Sequence, residues 1–157
     1  MHLVVGRMVQ SRAGGFSLIE ILIVVALVGT LAAATAPMVA AGLERYTILS
    51  AGQQVASTVR AARFQAVARN RGVRVLFDSP ADGQYETEVW NPDTSAWDPL
   101  GEAQALPGDV TFGDGTDDIE VTTEGRVVAA STITVTNGNA DDDRTVTVSQ
   151  SGRVELD

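Results

Sequence analysis

Between Glu20 and Glu44 the chain runs for 23 residues, Ile21–Leu43, without a charge. At about 1.5 Å rise per residue, a helix over this run would be roughly 35 Å long, enough to cross the apolar core of a bilayer. Arg7 and Arg12 precede it, and a basic leader favours a cytoplasmic N-terminus. Ala32-Ala33-Ala34-Thr35-Ala36 has the small residues of a cleaved secretory exit. Cleavage after Ala36 would leave Pro37 just past the scissile bond, which is unfavourable; cleavage after Ala34 would not. A plain single-span anchor explains the length of the run equally well. Neither reading explains Gly14-Gly15 or the carboxylate of Glu20, because a carboxylate at membrane depth is costly unless it is paired.

Past the apolar run the chain changes character. Six arginines fall between Arg45 and Arg74; beyond them, eighteen Asp and Glu face only Arg126, Arg144 and Arg153. The net charge of −9 is therefore concentrated in the distal part. Such a surface repels nucleic acid and anionic lipid at long range. There is no Cys and no Lys, and the one His is His2. A disulfide, a thiolate metal site, and Ser-His-Asp, Cys-His or His-based zinc chemistry beyond the leader are excluded. No glycine-rich stretch fits a phosphate loop. Enzymatic activity and a cofactor are accordingly not expected.

Ile48, Gly52, Val55, Val59, Ala62 and Ala66 recur at steps of 4, 3, 4, 3 and 4, which marks one face of a helix. The helix should stop near Asn70-Arg71-Gly72, with Gly72 as the terminator. One helix from about Ser17 to Asn70 would be roughly 80 Å long. Its small side chains would pack on a sheet. Strand signals follow at Val73–Asp78 and Tyr85–Trp90, joined by an Asp82-Gly83 turn. Asn91–Gly108 reads as a loop pinned by Trp97. Val110–Phe112, Ile119–Thr123, Arg126–Val128, Thr132–Thr136, Thr145–Ser149 and Val154–Leu156 read as further strands, the β-branched ones most clearly. Asn137-Gly138 and Ser151-Gly152 mark turns. One long N-terminal helix followed by an antiparallel sheet is an α+β fold.

Gly15-Phe16-Ser17-Leu18-Ile19-Glu20, leading into the apolar run, resembles the N-terminus of type IV pilins and type II secretion pseudopilins. The resemblance implies a pilin-like fold, with the first half of the helix transmembrane. It implies a membrane prepilin peptidase that cuts after Gly15 and methylates the new amine on Phe16. Glu20 would pair with the N-terminal amine of a neighbouring subunit and set the register of assembly; an ordinary carboxylate snorkelling to the interface is the bland alternative. Gly29 and Pro37 fall where the family often loosens its helix, although both are also common in plain membrane helices. The expected organisation is a cleaved leader, 1–15; a transmembrane assembly helix, 16–43; and a periplasmic domain, 44–157, with helix over 44–71 and sheet over 73–157.

Further along, Ala61 to Gly72, Val73 to Phe77 and Thr145 to Val154 resemble the GspH/FimT group of minor pilins and pseudopilins. FimT-like members are linked to DNA uptake through basic residues near the C-terminus. Here the chain ends Gly152-Arg153-Val154-Glu155-Leu156-Asp157, with acidic residues at positions 155 and 157. Arg60, Arg63, Arg69, Arg71 and Arg74 are the candidates for phosphate contacts, set against pairing within the chain, with neighbouring subunits or with lipid headgroups. Asp114, Asp117 and Asp118, and Asp141, Asp142 and Asp143, offer oxygens of the kind Ca²⁺ takes. Their spacing matches no EF-hand, and solvated turns are the expected reading.

The sequence thus leads to a minor pseudopilin of the H kind in a type II secretion system, anchored once in the bacterial inner membrane with its domain in the periplasm. Its expected partners are prepilin peptidase and other pseudopilins or pilins in a filament. A FimT-like minor pilin of a type IV pilus or DNA-uptake filament is the alternative. A solitary membrane-tethered binding module is a third.

Overall fold

The computed structural model describes residues 16–139 and 141–157. Residues 1–15, expected to be a leader cleaved after Gly15, lie outside the described residues. The chain divides into two units, Met1–Ala40 and Ala41–Asp157, and the boundary falls within one helix, α1 (Leu18–Arg69).

In the first unit α1 is apolar on every side, and Leu22, Val25 and Leu31 are each more than half exposed. It is long and apolar enough to cross a membrane. The N–H groups of Glu20 and Ile21 donate to the Ser17 carbonyl at 3.0 and 3.2 Å and begin the helix. Glu20 stands in the first turn, where the unpaired amides of a helix favour a negative charge.

In the second unit α1 buries Ile48, Ala51, Val55, Ala56, Val59, Ala62 and Ala66, which includes the face read from the sequence. The helix ends earlier than Gly72. Asn70 takes the left-handed conformation at φ 52°, its N–H reaches the Val67 carbonyl, and the N–H of Arg71 reaches Ala66. That pair of bonds closes the last turn, with asparagine where glycine is commoner. Gly72 has a different task. Its carbonyl accepts the Trp90 N–H at 2.8 Å, and a Cβ there would stand 3.5 Å from the Trp97 indole.

Nine strands follow among the described residues: β1 (Val73–Phe77), β2 (Gln84–Asn91), β3 (Ala96–Pro99), β4 (Gln104–Ala105), β5 (Thr111–Phe112), β6 (Ile119–Val121), β7 (Ser131–Thr136), β8 (Arg144–Val148) and β9 (Val154–Leu156). They form two antiparallel sheets rather than one. The first has the order β3-β2-β1-β6, with β4 also on β2; the second has the order β5-β7-β8-β9. The chain enters the second sheet at β5, returns to the first as β6, and crosses back as β7. Gly125 turns at φ 75° and folds Val127 back on Val121 as a single bridge. That return lies along the outer edge of β6. Arg126–Val128 is therefore the arm of a tight turn and not a strand. The segment read as a loop, Asn91–Gly108, holds β3 and β4. Pro99 hid the signal, yet proline is tolerated on an edge strand. The Asn91 side chain accepts the Asp93 N–H at 3.0 Å and builds the turn into β3.

Both sheets and α1 share one core. Burial alternates along β1, β6 and β7 with the two-residue period of a strand. Phe77, Tyr85 and Phe112 form an aromatic cluster with centroids 5.2–6.4 Å apart. The buried Tyr85 hydroxyl accepts from Gln54 Nε2 at 2.8 Å and donates to Gln104 Oε1 at 2.7 Å, which meets the demand of a buried polar group.

Candidate functional site

The assembly residues expected from the sequence lie in the first unit. Phe16 is 79% exposed. Glu20 is exposed and makes no ion pair among the described residues. A Cβ added at Gly29 would meet nothing within 4 Å, so close packing inside this chain does not require glycine there. Pro37 lies within α1; its ring leaves the helix one N–H short.

The arginines expected to share one role divide into three. Arg63 turns inward. Its guanidinium donates to the carbonyls of Gly125 at 2.8 Å, Gly152, and Ser151 at 3.4 Å. It thereby ties α1 to the turn after β6 and to the turn before β9, one in each sheet. Gly152 takes φ 80°, a conformation that favours glycine, and a Cβ there would displace the Arg63 guanidinium. Arg74 pairs with Glu88 across β1 and β2 and lies 4.7 Å over the Trp97 ring. That ring meets Trp90 edge-on at 5.4 Å, so Trp97 does act as a pin, from within a strand. Arg60, Arg69 and Arg71 face solvent; among the described residues Arg69 bonds only Gln65 one turn back, at 2.9 Å. The inward course of Arg63 was not legible from composition. The available signal was its place one helical turn after Val59, at the margin of the buried face.

The acidic clusters are partly occupied by the fold itself. Asp118 Oδ1 accepts the Phe77 N–H at 3.0 Å. Asp142 pairs with Arg45 at 3.4 Å and accepts from Asn139 at 3.1 Å. Among the described residues no three acidic side chains converge in a way that could hold a metal ion. Asp114 and Asp117 are exposed in the β5–β6 connection, and Asp141 is exposed in the β7–β8 connection. Asp143 Oδ1 is buried without a protein partner, while its main-chain carbonyl accepts from Arg144 at 2.9 Å.

The family model for the type II transport protein GspH matches residues 51–152. The model for the prokaryotic N-terminal methylation motif matches residues 10–36. No curated protein matches the chain. Among solved structures, it is similar to the type IV minor pilin FimU of Pseudomonas aeruginosa, with a TM-score of 0.58 and 23% identity over 73% of this chain and 90% of that one. It is similar to the minor pseudopilin EpsH from the type II secretion system of Vibrio cholerae, with a TM-score of 0.58 and 13% identity over 71% and 96%. It is also similar to E. coli GspH, with a TM-score of 0.57 and 14% identity over 73% and 89%. At these identities the structures share a fold, the long helix with its antiparallel sheets. The two family matches supply the rest: a methylation motif on an apolar helix and a GspH domain behind it, so the chain belongs to the GspH family, as a minor pilin-like subunit of a type II secretion system or a type IV pilus.

Proposed function

We propose that this chain is the H-type minor pseudopilin of a type II secretion system. It would be a structural subunit of the periplasmic pseudopilus that drives folded proteins across the outer membrane. The observation that carries the reading is the GspH match across residues 51–152, most of the packed domain. In this reading residues 1–15 are a leader removed by prepilin peptidase after Gly15, and Phe16 receives the methyl group. Residues 16–43 anchor the subunit in the inner membrane and pack in the filament. Residues 44–157 stand in the periplasm.

Glu20 has a defined task in that scheme. Its carboxylate pairs with the N-terminal amine of a neighbour's Phe16, which removes the cost of two isolated charges at membrane depth and fixes axial register. Gly29 and Pro37 give α1 room to loosen as it enters the filament. The work is assembly, with no bond-making step.

The deciding experiment is a deletion strain. Loss of exoprotein secretion, restored by the intact chain and not by Gly15→Val or Glu20→Val, is the expected outcome. Normal secretion with loss of pilus-dependent motility or transformation would move the chain to a type IV pilus. An unshortened precursor in cells with active prepilin peptidase would defeat both filament assignments and leave a solitary membrane-tethered module.

A further inference from the structure

We propose that the α1 face around Phe64 and Val67, rimmed by Arg60 and Arg126, docks the acidic face of a neighbouring filament subunit. The proposal rests on the filament reading above. Arg60, Phe64 and Val67 follow one another at steps of 4 and 3 within α1, so they share one side of the helix. That side is not the buried one. Phe64 is 71% exposed and Val67 55%. A depression of about 330 Å³ runs from Phe64 and Val67 to the Gly125 turn. A second, of about 360 Å³, shares Glu124 with it and reaches Arg126 and Val128.

The floor of this face is fixed in advance. Arg63 holds the Gly125 carbonyl at 2.8 Å, and a Cβ at Gly125 would come within 3.0 Å of a Val67 methyl. A partner would thus meet a formed surface, with little to order on binding.

Charge identifies the occupant. The chain carries 20 carboxylates for 11 arginines, yet the ion pairs among the described residues are Arg45–Asp142, Arg74–Glu88 and Arg153–Glu155. The two rim arginines, Arg60 and Arg126, join none of them. Arg60 makes one long bond to the Val154 carbonyl, at 3.4 Å. Cations set around an exposed aromatic match the make-up of a protein interface. A complementary surface would carry carboxylates around an apolar centre. A phosphate polyanion fits less well: the centre is apolar, Glu124 lies on the rim, and the net charge of −9 repels it at long range. A basic patch that seeks an acidic one is not self-complementary. It joins subunits head to tail, as an open helical filament requires.

The test places a benzophenone amino acid at Phe64, and separately at Val128, in the full chain inside cells that build the filament. Illumination should join it to another subunit bearing a methylation motif, at a peptide containing Asp or Glu. The yield should fall severalfold in Arg60→Glu/Arg126→Glu and return when the partner's carboxylates are changed to Lys. Adducts with lipid, with DNA or with a protein outside the filament would overturn the proposal. So would a yield indifferent to charge reversal, or no adduct from a chain that has entered the filament. Leader removal and filament entry are read in the same cells. If the unsubstituted chain fails at those steps, the filament reading falls and this surface with it; if it passes them, only the surface is in question.

Discussion

Within α1, Leu22, Val25 and Leu31 are more than half exposed, whereas Ile48, Val55 and Val59 are wholly buried. Both stretches are helical and both are rich in aliphatic residues. In the second, apolar positions repeat on one face and are covered by two sheets of the same chain. In the first they surround the helix, and among the described residues nothing covers them. The contrast shows what an apolar sequence says about burial. A stripe calls for a partner within the fold, whereas an apolar cylinder calls for a lipid or subunit environment.

Paired substitutions break or sharpen that contrast, and all are read as unfolding of the full chain in detergent. Ile48→Ala removes three carbons from a filled core and should cost about 3 kcal/mol. Val28→Ala, in the apolar cylinder, should leave the same transition within about 0.5 kcal/mol. A comparable loss at Val28 would mean that the first unit is packed in the isolated chain. Arg63→Ala orphans the carbonyls of Gly125 and Gly152 and should cost about 2 kcal/mol, whereas Arg60→Ala should stay within about 0.5 kcal/mol; equal effects would erase the distinction between inward and outward arginines. At the end of α1, Asn70→Val forces a β-branched residue into the left-handed region, at about 1.5 kcal/mol, and Asn70→Gly should be close to neutral. Among the substitutions expected to destabilise, the smallest loss is that of Tyr85→Phe. It strips the hydroxyl shared by Gln54 and Gln104 and should cost about 1 kcal/mol.

The elements that were legible in the sequence are those with a strict period or a fixed chemical motif. The 4-3 spacing from Ile48 to Ala66 predicts the buried face of α1, and the β-branched alternation predicts β7 and β8. Segments without either were misread. β3 contains a proline and two polar turn residues precede it, so its pairing with β2 through Trp97 and Trp90 is invisible locally. Arg126–Val128 has a strand-like composition, but its neighbour in space, β6, is short and leaves room for one bridge. The helix ends close to where the sequence puts it, near Asn70-Arg71-Gly72, but the terminating residue is Asn70 rather than Gly72, because asparagine tolerates the same left-handed conformation and comes first.

The sequence alone determined the apolar helix, its leading Gly-Phe-x-x-x-Glu motif, the acidic distal domain and the absence of Cys and of any His beyond His2. These depend on residue identity and near-neighbour spacing, which the chain order states outright. Only the tertiary structure decided that the strands form two sheets, that Arg63 joins both to α1, and that Arg60, Phe64, Val67 and Arg126 share one outward face. Those outcomes depend on contacts between residues as many as 89 positions apart, such as Arg63 with Gly152. Closing loops of that length is decided by the packing of the whole core rather than by any local preference.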